Sequence, residues 1–399
     1  MGFNTNILNY NVDENLRIMI YSDHFFPSIG GSENYALDLA NGLISTGHTV
    51  GVITSEQTEF EDPFKFQMFR LQKPISIMRA NVNFFQIASI IKTFKPDIFH
   101  INYQTGTENL LILILRLLRI PIILTYHADH IRPIGRIIDK LQMLFTFRLI
   151  NLILVQTGRD LANFESFKFF KLKVMKLNFN GVDTDRFSCS NVIKERRPNF
   201  TILSVMRIDK SHLYKGIDNL INLFDKAHLE GKVRKPLVLN IVGGGDLLPE
   251  YREMIEKRTI KNIHLLGHLN ENDYISAICN SNAMILLSNN KAEGFGRVVL
   301  EAISCKIPTI VSRYSGISEI IDRYKSGIVL DVLDENSLCD AIDKLLTDKN
   351  FVKDLDRNMS IMIRDEKLSL KDVVKEHVKI YRNLINSLKE FKANKGNNN

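Results

Sequence analysis

Two glutamates flank a glycine turn in the C-terminal half of the sequence. Glu293 and Glu301 have seven residues between them, and the turn Gly294–Gly296 precedes an apolar helical pattern. This pattern predicts a helix over Arg297–Cys305, so Glu293 lies in the entering loop and Glu301 about a turn and a half into the helix. The unpaired amides of a helix N-terminus bind anions, whereas carboxylates accept hydrogen bonds from hydroxyl groups. Together they predict a site for a ligand that carries both phosphates and hydroxyls, such as a sugar nucleotide.

The same residues also have a purely structural interpretation. Arg297 and Glu301 are four positions apart on the predicted helix and could form a surface ion pair. Glu293 could simply be a negative charge at a helix N-terminus, where it is favourable. The remaining candidate residues therefore decide between the two interpretations.

Two cations are predicted at the edge of a sheet in the same half of the chain. Arg207 follows the apolar run Thr201–Met206, and Lys215 opens the helical pattern Lys215–Ala227. Cations at the edge of a sheet can bind the diphosphate of a ligand and stabilise the negative charge of the diphosphate as it leaves. The alternative is a pair of exposed cations, which is usual for these residue types. Their position at a strand end and a helix start favours the diphosphate role.

A second glycine turn occurs near the start of the chain. Gly30 and Gly31 follow the predicted strand Arg17–Ser22, and their missing side chains allow a phosphate to approach the backbone. Ser32 can cap the helix that follows. A capped helix after a flexible turn is the alternative interpretation.

A histidine follows another buried strand of the first half. His127 comes directly after the predicted strand Pro121–Thr125, at the edge where open α/β sheets bind ligands. It could hydrogen-bond a sugar hydroxyl, transfer a proton or cap a helix. Asp129 and His130 lie nearby, but their spacing gives weak support for a metal. No metal site is expected.

The elements that must position these residues follow a strand–helix alternation, which predicts an α/β fold with parallel sheets. Residues 1–187 form a first Rossmann-like domain and residues 188–199 a polar linker. Residues 200–369 form a second such domain, residues 370–393 a helix that packs back toward the first domain, and residues 394–399 a frayed tail. Two doubly wound domains that face each other enclose a cleft, which is the default ligand site.

The composition is that of a globular protein with substantial cores. The chain has 399 residues, of which 45% are hydrophobic, and its charges are mixed. Its cysteines lack the short paired spacing of a zinc site or a disulfide framework, which fits a reducing cytoplasm: Cys189, Cys279, Cys305 and Cys339. Neither a signal peptide nor a transmembrane helix is expected, since residues 1–16 are polar and the most apolar stretch, Leu110–Leu124, is interrupted by two arginines and a proline.

The positive charge is concentrated in the first half. The window Lys65–Lys176 carries more positive charge than the net +7 of the whole chain. Such a surface could face anionic lipid, an acidic glycan or solvent; nucleic-acid binding is not expected, because no nucleic-acid module is recognisable. On the predicted helix Ile134–Arg148, basic residues at 136 and 140, preceded by Arg132, form one stripe. This stripe suits an anionic membrane surface or a lipid-linked acceptor, with a solvated helix face as the alternative.

Taken in order, the motifs resemble those of the retaining nucleotide-sugar glycosyltransferases of glycosyltransferase family 4, which have the two-domain GT-B fold. The matching segments are PSIGGSENYALDLANGLISTGHTVGVIT, DIFHIN, PIILTYH, NGVDTDRF, MRIDKSHLYKG, LNIVGGGD, IHLLGHL and AEGFGRVVLEAISCKIPTIVSRYSGISEII. They extend over about Arg17–Leu330. Their order and spacing together are highly specific, although no single motif is conclusive.

The resemblance implies how the donor phosphates are bound. The backbone around Gly30 and Gly31 would contact the distal phosphate. Arg207 and Lys215 would bind the diphosphate, assisted by the amides near Phe295 and Gly296.

The resemblance also implies which residues recognise the sugars and the base. Glu293 would hold hydroxyls of the transferred sugar, and Glu301 those of the ribose. His127 would lie near the sugar and the acceptor. The segment that contacts the base corresponds to Gly267, His268 and Leu269.

The implied activity is transfer of a hexosyl group from a nucleoside-diphosphate sugar to a glycan or lipid-linked acceptor, with retention of anomeric configuration. No cofactor or essential metal is expected, and no Asp-x-Asp metal motif follows a strand. A nucleotide-sugar 2-epimerase and a non-catalytic scaffold subunit are the alternatives. The presence of Arg207, Lys215, Glu293 and Glu301 argues against the scaffold. A cytoplasmic location is expected, with peripheral membrane association left open.

Overall fold

The computed structural model describes residues 15–396 with several gaps. The gaps are 29, 59–60, 72–75, 78–79, 82–83, 104–108, 128–144, 166–170, 191, 194–197, 230–235 and 291. The predicted helix Ile134–Arg148, with its basic stripe, therefore lies largely outside the described residues, as do Asp129 and His130.

The first sheet is parallel and has the strand order β3-β2-β1-β6-β7-β8-β9. Its strands are β1 (Arg17–Ser22), β2 (Thr49–Thr54), β3 (Gln67–Arg70), β6 (Ile98–Tyr103), β7 (Ile122–Tyr126), β8 (Leu152–Val155) and β9 (Val174–Lys176), while β4 (Ser76–Ile77) and β5 (Ala80–Asn81) form a separate antiparallel pair. The strand order changes direction between β1 and β6. In open α/β folds, this point is where ligands bind.

Both faces of the first sheet are buried. Along β1, Ile18 and Ile20 pack into one apolar cluster, whereas Met19 and Tyr21 pack into the other. Continuous apolar strands of this kind require a cover on each face. The cover includes α1 (Gly31–Ser45), α2 (Phe84–Phe94), α3 (Asn109–Leu117) and α4 (Gly158–Glu165).

The second sheet is also parallel, with the order β12-β11-β10-β13-β14-β15. Its strands are β10 (Phe200–Val205), β11 (Leu237–Val242), β12 (Ile263–Gly267), β13 (Ala283–Leu286), β14 (Thr309–Ser312) and β15 (Ile328–Leu330). The helices of this half are α5 (Ile217–Leu229), α6 (Leu248–Lys257), α7 (Glu271–Cys279), α8 (Arg297–Ser304), α9 (Ser318–Tyr324), α10 (Glu335–Thr347) and α11 (Lys349–Asp365). The switch point lies between β10 and β13, and the α/β fold class is confirmed.

The last helix, α12 (Leu370–Gly396), packs against α1 of the first half. Val374, Val378 and Tyr381 belong to the same apolar cluster as Ile18 and Ile20. The C-terminal end of the chain therefore supplies part of the core of the N-terminal half.

A buried polar network connects α12 to the first sheet. Tyr35 on α1 lies 2.9 Å from Nε2 of His377, and His377 Nδ1 lies 2.8 Å from the Val373 carbonyl oxygen. Burial lowers the pKa of His377 to about 4, so its ring is neutral near pH 7. A neutral ring that donates through Nδ1 accepts through Nε2, so the Tyr35 hydroxyl donates to it. His100 on β6 extends the network to Tyr381.

Two features of the second half differ from the sequence-based expectation. Cys189 and Cys279 form a disulfide across 90 residues, and the expectation that the cysteines form no disulfide was wrong. Spacing along the chain carries no signal for two cysteines this far apart that the fold brings together. No helix within the described ranges combines the length and the apolar character needed to cross a membrane.

Candidate active site

Arg207 and Glu293 lie on the loops that follow the two strands of the second switch point. Arg207 comes two residues after β10, and Glu293 lies in the loop after β13. Because β10 and β13 are parallel neighbours, both loops leave the same edge of the sheet. The fold therefore brings together residues that are distant in sequence.

Lys215 and Glu293 form a largely buried ion pair. The Lys215 Nζ lies 2.9 Å from Oε2 of Glu293 and 3.2 Å from Oε1, and the Ser288 hydroxyl donates to Oε2 over 2.8 Å. The side chains of Lys215 and Glu293 are 17% and 6% exposed. A carboxylate this deeply buried is held by partners on two sides, which fixes its orientation.

Lys215 can approach Glu293 because the next residue is a glycine, Gly216. The expectation that Lys215 opens a helix was wrong: it ends the 3-10 turn Lys210–Lys215, and α5 begins only at Ile217. Gly216 has a φ of +74°, and a Cβ there would lie 2.5 Å from the Leu287 carbonyl oxygen. The missing side chain lets the turn lie against the loop after β13, where Asn289 N donates to the Tyr214 carbonyl oxygen.

The glycine turn before α8 is held by backbone hydrogen bonds from the segment that follows β14. The carbonyl oxygens of Gly294 and Phe295 accept hydrogen bonds from the amides of Gly316 and Ile317, over 2.7 and 2.9 Å. Phe295 is buried in the core, and Gly296 is the N-cap of α8 with a φ of +86°. The Val299 amide donates to the Gly296 carbonyl oxygen at the start of α8, and the positive end of the helix dipole lies next to Glu293.

Glu301 is a buried residue of α8, not part of a surface ion pair. The Tyr274 hydroxyl on α7 donates to its Oε2 over 2.5 Å. Burial raises the pKa of Glu301 above the usual range, against the opposing effects of Arg297 and of the Tyr274 hydrogen bond. Arg297 donates to Asp38 on α1, in the first half of the chain. The interpretation of Arg297 and Glu301 as an ordinary surface pair was therefore wrong.

Arg207 is half exposed. Its Nε lies 3.5 Å from a carboxylate oxygen of Asp209, with 49% of the Arg207 side chain accessible. Asp209 also accepts the Ser211 amide, so it caps the turn that leads to Lys215. Arg207 and Lys215 thus lie at the two ends of one short segment.

The glycine turn of the first half leads directly into α1. The helix begins at Gly31, and Gly30 is its N-cap with an extended backbone and no side-chain cap, so the expected capping by Ser32 was wrong. A Cβ on Gly30 would meet the Glu33 carboxylate at 2.3 Å, whereas a Cβ on Gly31 would meet nothing within 4 Å. The open side of the turn is therefore at Gly31.

His127 is held at the end of β7 by Asn102. Its Nε2 lies 2.6 Å from Asn102 Oδ1, while the Asn102 amide group donates to Ser22 Oγ and to the Ser32 carbonyl oxygen. Since the amide nitrogen is used as a donor, Oδ1 accepts from His127 and the ring carries a proton on Nε2. Sequence reasoning missed Asn102, although it is a polar residue near the carboxyl end of β6 at the first switch point.

The segment Gly267–Leu269 begins at the last residue of β12 and lies beside the glycine turn after β11. The Gly243 amide donates to the Gly267 carbonyl oxygen over 2.9 Å. A Cβ on Gly244 would lie 2.5 Å from Nε2 of His268, so the ring rests on the glycine backbone. Leu269 packs against the core. The glycines here permit a close approach by His268 as well as a chain reversal.

Comparison with known proteins identifies the family. Residues 187–361 match the family of glycosyl transferases group 1, and residues 29–186 match Glycosyltransferase Family 4. The chain belongs to the group 1 glycosyltransferases and has the GT-B fold.

The similarity to individual proteins extends over nearly the whole chain. N-acetyl-alpha-D-glucosaminyl L-malate synthase of Bacillus anthracis is 24% identical over 92% of this chain and 97% of its own. Sucrose-phosphate synthase of Thermosynechococcus elongatus has a TM-score of 0.72 at 17% identity, covering 93% of this chain and 99% of that one. Anabaena HepE, solved in complex with UDP, has a TM-score of 0.70 at 15% identity, covering 92% and 99%. The predicted architecture and glycosyltransferase class are confirmed.

Proposed function

We propose that this glycosyltransferase moves a hexose from a nucleoside-diphosphate sugar to a glycan or lipid-linked acceptor, with retention of anomeric configuration and without an essential metal. The observation that carries the proposal is the buried Lys215–Glu293 pair at the second switch point. A cation suits a phosphate, and a carboxylate suits sugar hydroxyls. In a sugar nucleotide these two groups are neighbours, as Lys215 and Glu293 are.

The diphosphate is assigned to the positive groups around this pair. Lys215 and Arg207 supply charge from the two ends of one segment, and the first-turn amides of α8 supply a helix N-terminus. The backbone at Gly30 and Gly31 is assigned to the distal phosphate, since Gly31 leaves its side of the turn open. These groups can stabilise the charge on the departing nucleoside diphosphate, the task that a metal performs in other transferases.

The nucleoside is assigned to the residues beyond the diphosphate. Glu301 accepts the ribose hydroxyls with an oxygen that Tyr274 already orients. The segment of Gly267, His268 and Leu269 borders the base. Anabaena HepE, which has the same fold, was solved in complex with UDP. This supports a nucleoside diphosphate as the product that leaves the cleft of this protein.

His127 is assigned to the transferred sugar and the acceptor. Its Nε2 proton is committed to Asn102, which holds the ring in one orientation directly after β7. An imidazole at this edge of the sheet suits a sugar hydroxyl. Asn102 is a positioning residue, because it fixes the orientation and the tautomer of the ring without a substrate contact of its own.

The chemistry we propose is transfer on a single face of the sugar. The bond between C1 and the phosphate oxygen breaks, and the acceptor oxygen bonds to C1 on the same face. The acceptor proton passes to the leaving phosphate, and Lys215 and Arg207 hold the developing charge.

The decisive experiment supplies uridine, guanosine and adenosine diphosphate sugars in turn. We expect one of these donors to raise the melting temperature of the protein and to be hydrolysed slowly. NMR of the released sugar then shows the configuration at C1. With an acceptor present, the product should keep the donor anomeric configuration, and a chelator such as EDTA should leave the rate unchanged. An inverted product would overturn the mechanism, and loss of activity in EDTA would overturn metal independence. Conversion of the donor alone to its 2-epimer would favour the epimerase.

A membrane-bound acceptor is supported by an exposed face of α3. Leu113 and Leu117 are exposed there, Leu117 to 75%, beside the exposed Arg116 and Arg119. The opposite side of α3, including Leu111 and Leu115, is packed into the core. Apolar side chains flanked by arginines suit the surface of an anionic bilayer.

Liposome sedimentation tests this surface. We expect the protein to sediment with vesicles that contain phosphatidylglycerol and not with pure phosphatidylcholine. Leu117→Glu should reduce the bound fraction severalfold, since it places a negative charge at the most exposed apolar position among the described side chains of α3. Ile193→Glu is the matched control, because Ile193 is 89% exposed in another part of the chain. Equal binding by both variants, or no binding by the wild type, would exclude this role of α3.

A further inference from the structure

Three cysteines converge where α7 and α8 end, in the second half of the chain. Cys189 lies just after Phe187, Cys279 ends α7, and Cys305 follows α8. Their sulfur atoms all lie within 4.8 Å of one another. Cys189 and Cys279 are joined by the disulfide, and Cys305 keeps its thiol.

A third thiol this close to a disulfide has a definite chemical capacity. A thiolate attacks a disulfide along the line of the S–S bond and displaces one sulfur, so proximity and access decide which exchange occurs. The disulfide occupies both sulfur atoms, so the three cannot act jointly as metal ligands while it is closed. Cys339 on α10 is also a buried thiol but is not part of this group. It provides an internal comparison.

The three cysteines differ in exposure. Cys279 and Cys305 are each 2% exposed, whereas Cys189 is only partly buried. A thiolate is better solvated at the partly exposed position, so Cys189 is the favoured leaving group. Exchange would therefore place the new Cys279–Cys305 disulfide in the protein interior and leave the Cys189 thiol near the surface.

The Cys189–Cys279 and Cys279–Cys305 disulfides would connect different parts of the fold. The existing bond attaches the segment after Phe187 to the end of α7. A Cys279–Cys305 bond would instead join the ends of α7 and α8, the helices that carry Tyr274 and Glu301. The segment around Cys189 would then be held by non-covalent contacts, such as the hydrogen bond from Ser304 Oγ to the Phe187 carbonyl oxygen.

We propose that Cys189, Cys279 and Cys305 form a thiol–disulfide exchange site. The Cys305 thiolate attacks Sγ of Cys279, the Cys279–Cys305 bond forms, and Cys189 leaves as a thiolate. The proton released by Cys305 returns to Cys189 through solvent. One disulfide is broken and one is made, so no external oxidant or reductant is consumed.

The test maps disulfides in the full-length protein purified without reductant. Native protein is alkylated over time with iodoacetamide and digested, and the peptides are identified by mass spectrometry. Exchange predicts that Cys189 becomes alkylated in intact protein and that a Cys279–Cys305 peptide accumulates with it. Cys339 should remain unlinked throughout. Alkylation that never reaches Cys189, with Cys189–Cys279 as the sole linked peptide, would overturn the proposal.

Two variants make the test independent of slow alkylation. In Cys189→Ser, oxidised glutathione should convert the two remaining cluster thiols into a Cys279–Cys305 disulfide and release two glutathione molecules. In Cys305→Ser, the Cys189–Cys279 bond should persist and Cys189 should resist alkylation. Circular dichroism verifies that each variant is folded. A folded Cys189→Ser protein that forms no Cys279–Cys305 bond, or that only carries glutathione on one cysteine, would overturn the proposal.

Discussion

Replacing Lys215 by methionine is expected to lower kcat/KM for sugar transfer by about 10²–10³-fold, the usual effect of removing one preorganised group that stabilises a leaving anion. Methionine keeps much of the volume and the apolar stem of lysine but has no charge for the diphosphate. The substitution also leaves the buried Glu293 without its cation. The free energy of unfolding should therefore fall by up to about 3 kcal/mol. Steady-state kinetics and urea unfolding measure the two effects.

The double variant Lys215→Met/Glu293→Gln separates stability from activity. Neutralising the carboxylate removes the unpaired charge, so most of the lost stability should return while activity stays low. Lys210→Met is the matched control, since Lys210 begins the same turn and is exposed. If Lys215→Met transfers sugar at the wild-type rate, Lys215 does not bind the diphosphate. If the double variant recovers activity together with stability, the pair is structural.

Replacing Glu301 by glutamine is expected to raise the donor KM about tenfold near neutral pH, the loss of one charge-assisted hydrogen bond. The same substitution should abolish a pH dependence of KM. Burial raises the pKa of Glu301, and only the ionised form accepts both hydroxyls of a ribose strongly. In the wild type, KM should therefore increase as the pH falls through that pKa. In Glu301→Gln the donor KM should not change as the pH falls. Measurements of the donor KM between about pH 5 and about pH 8 test this expectation.

Tyr274→Phe is the control for this assignment. The Tyr274 hydrogen bond lowers the pKa of Glu301, so its loss should move the acid limb of the KM profile to higher pH. Because the pKa of Glu301 is higher in the folded than in the unfolded chain, its contribution to stability is present at low pH and is lost as the pH rises through the folded-state pKa. Glu301→Gln should therefore melt at a higher temperature than the wild type near pH 8. An acid limb that persists unchanged in Glu301→Gln would show that another group titrates.

Much of the fold could be predicted because its strands are buried on both faces. Runs such as Arg17–Ser22 and Leu237–Val242 are apolar and flanked by helical patterns, and the structure has strands with the same bounds. In a parallel sheet every strand ends at the same edge, so the positions of Arg207, Glu293 and His127 after their strands followed from the pattern. Helix α11 was missed, since its sequence is mostly polar and its buried face consists of few residues, including Leu355 and Met359.

The contacts that complete the site could not be predicted, because they depend on tertiary geometry. Arg297 meets Asp38 across 259 positions, and no local pattern relates the two. The sequence has a glycine at 216 but does not indicate that a left-handed residue there turns Lys215 toward Glu293. Tyr274 likewise looks like one polar aromatic on an amphipathic helix. Its hydrogen bond to Glu301 depends on how α7 and α8 pack.

The return of α12 to the N-terminal half has a consequence for protein engineering. The donor could be changed by exchanging the second half with that of a relative, and a single crossover near residue 187 would be the obvious design. Such a hybrid would take Val374, Val378 and Tyr381 from the foreign parent and pack them into this chain's own core, against His100 and Tyr35. A workable hybrid needs two crossovers, with the second before Leu370, so that the terminal helix stays with the half whose interior it completes.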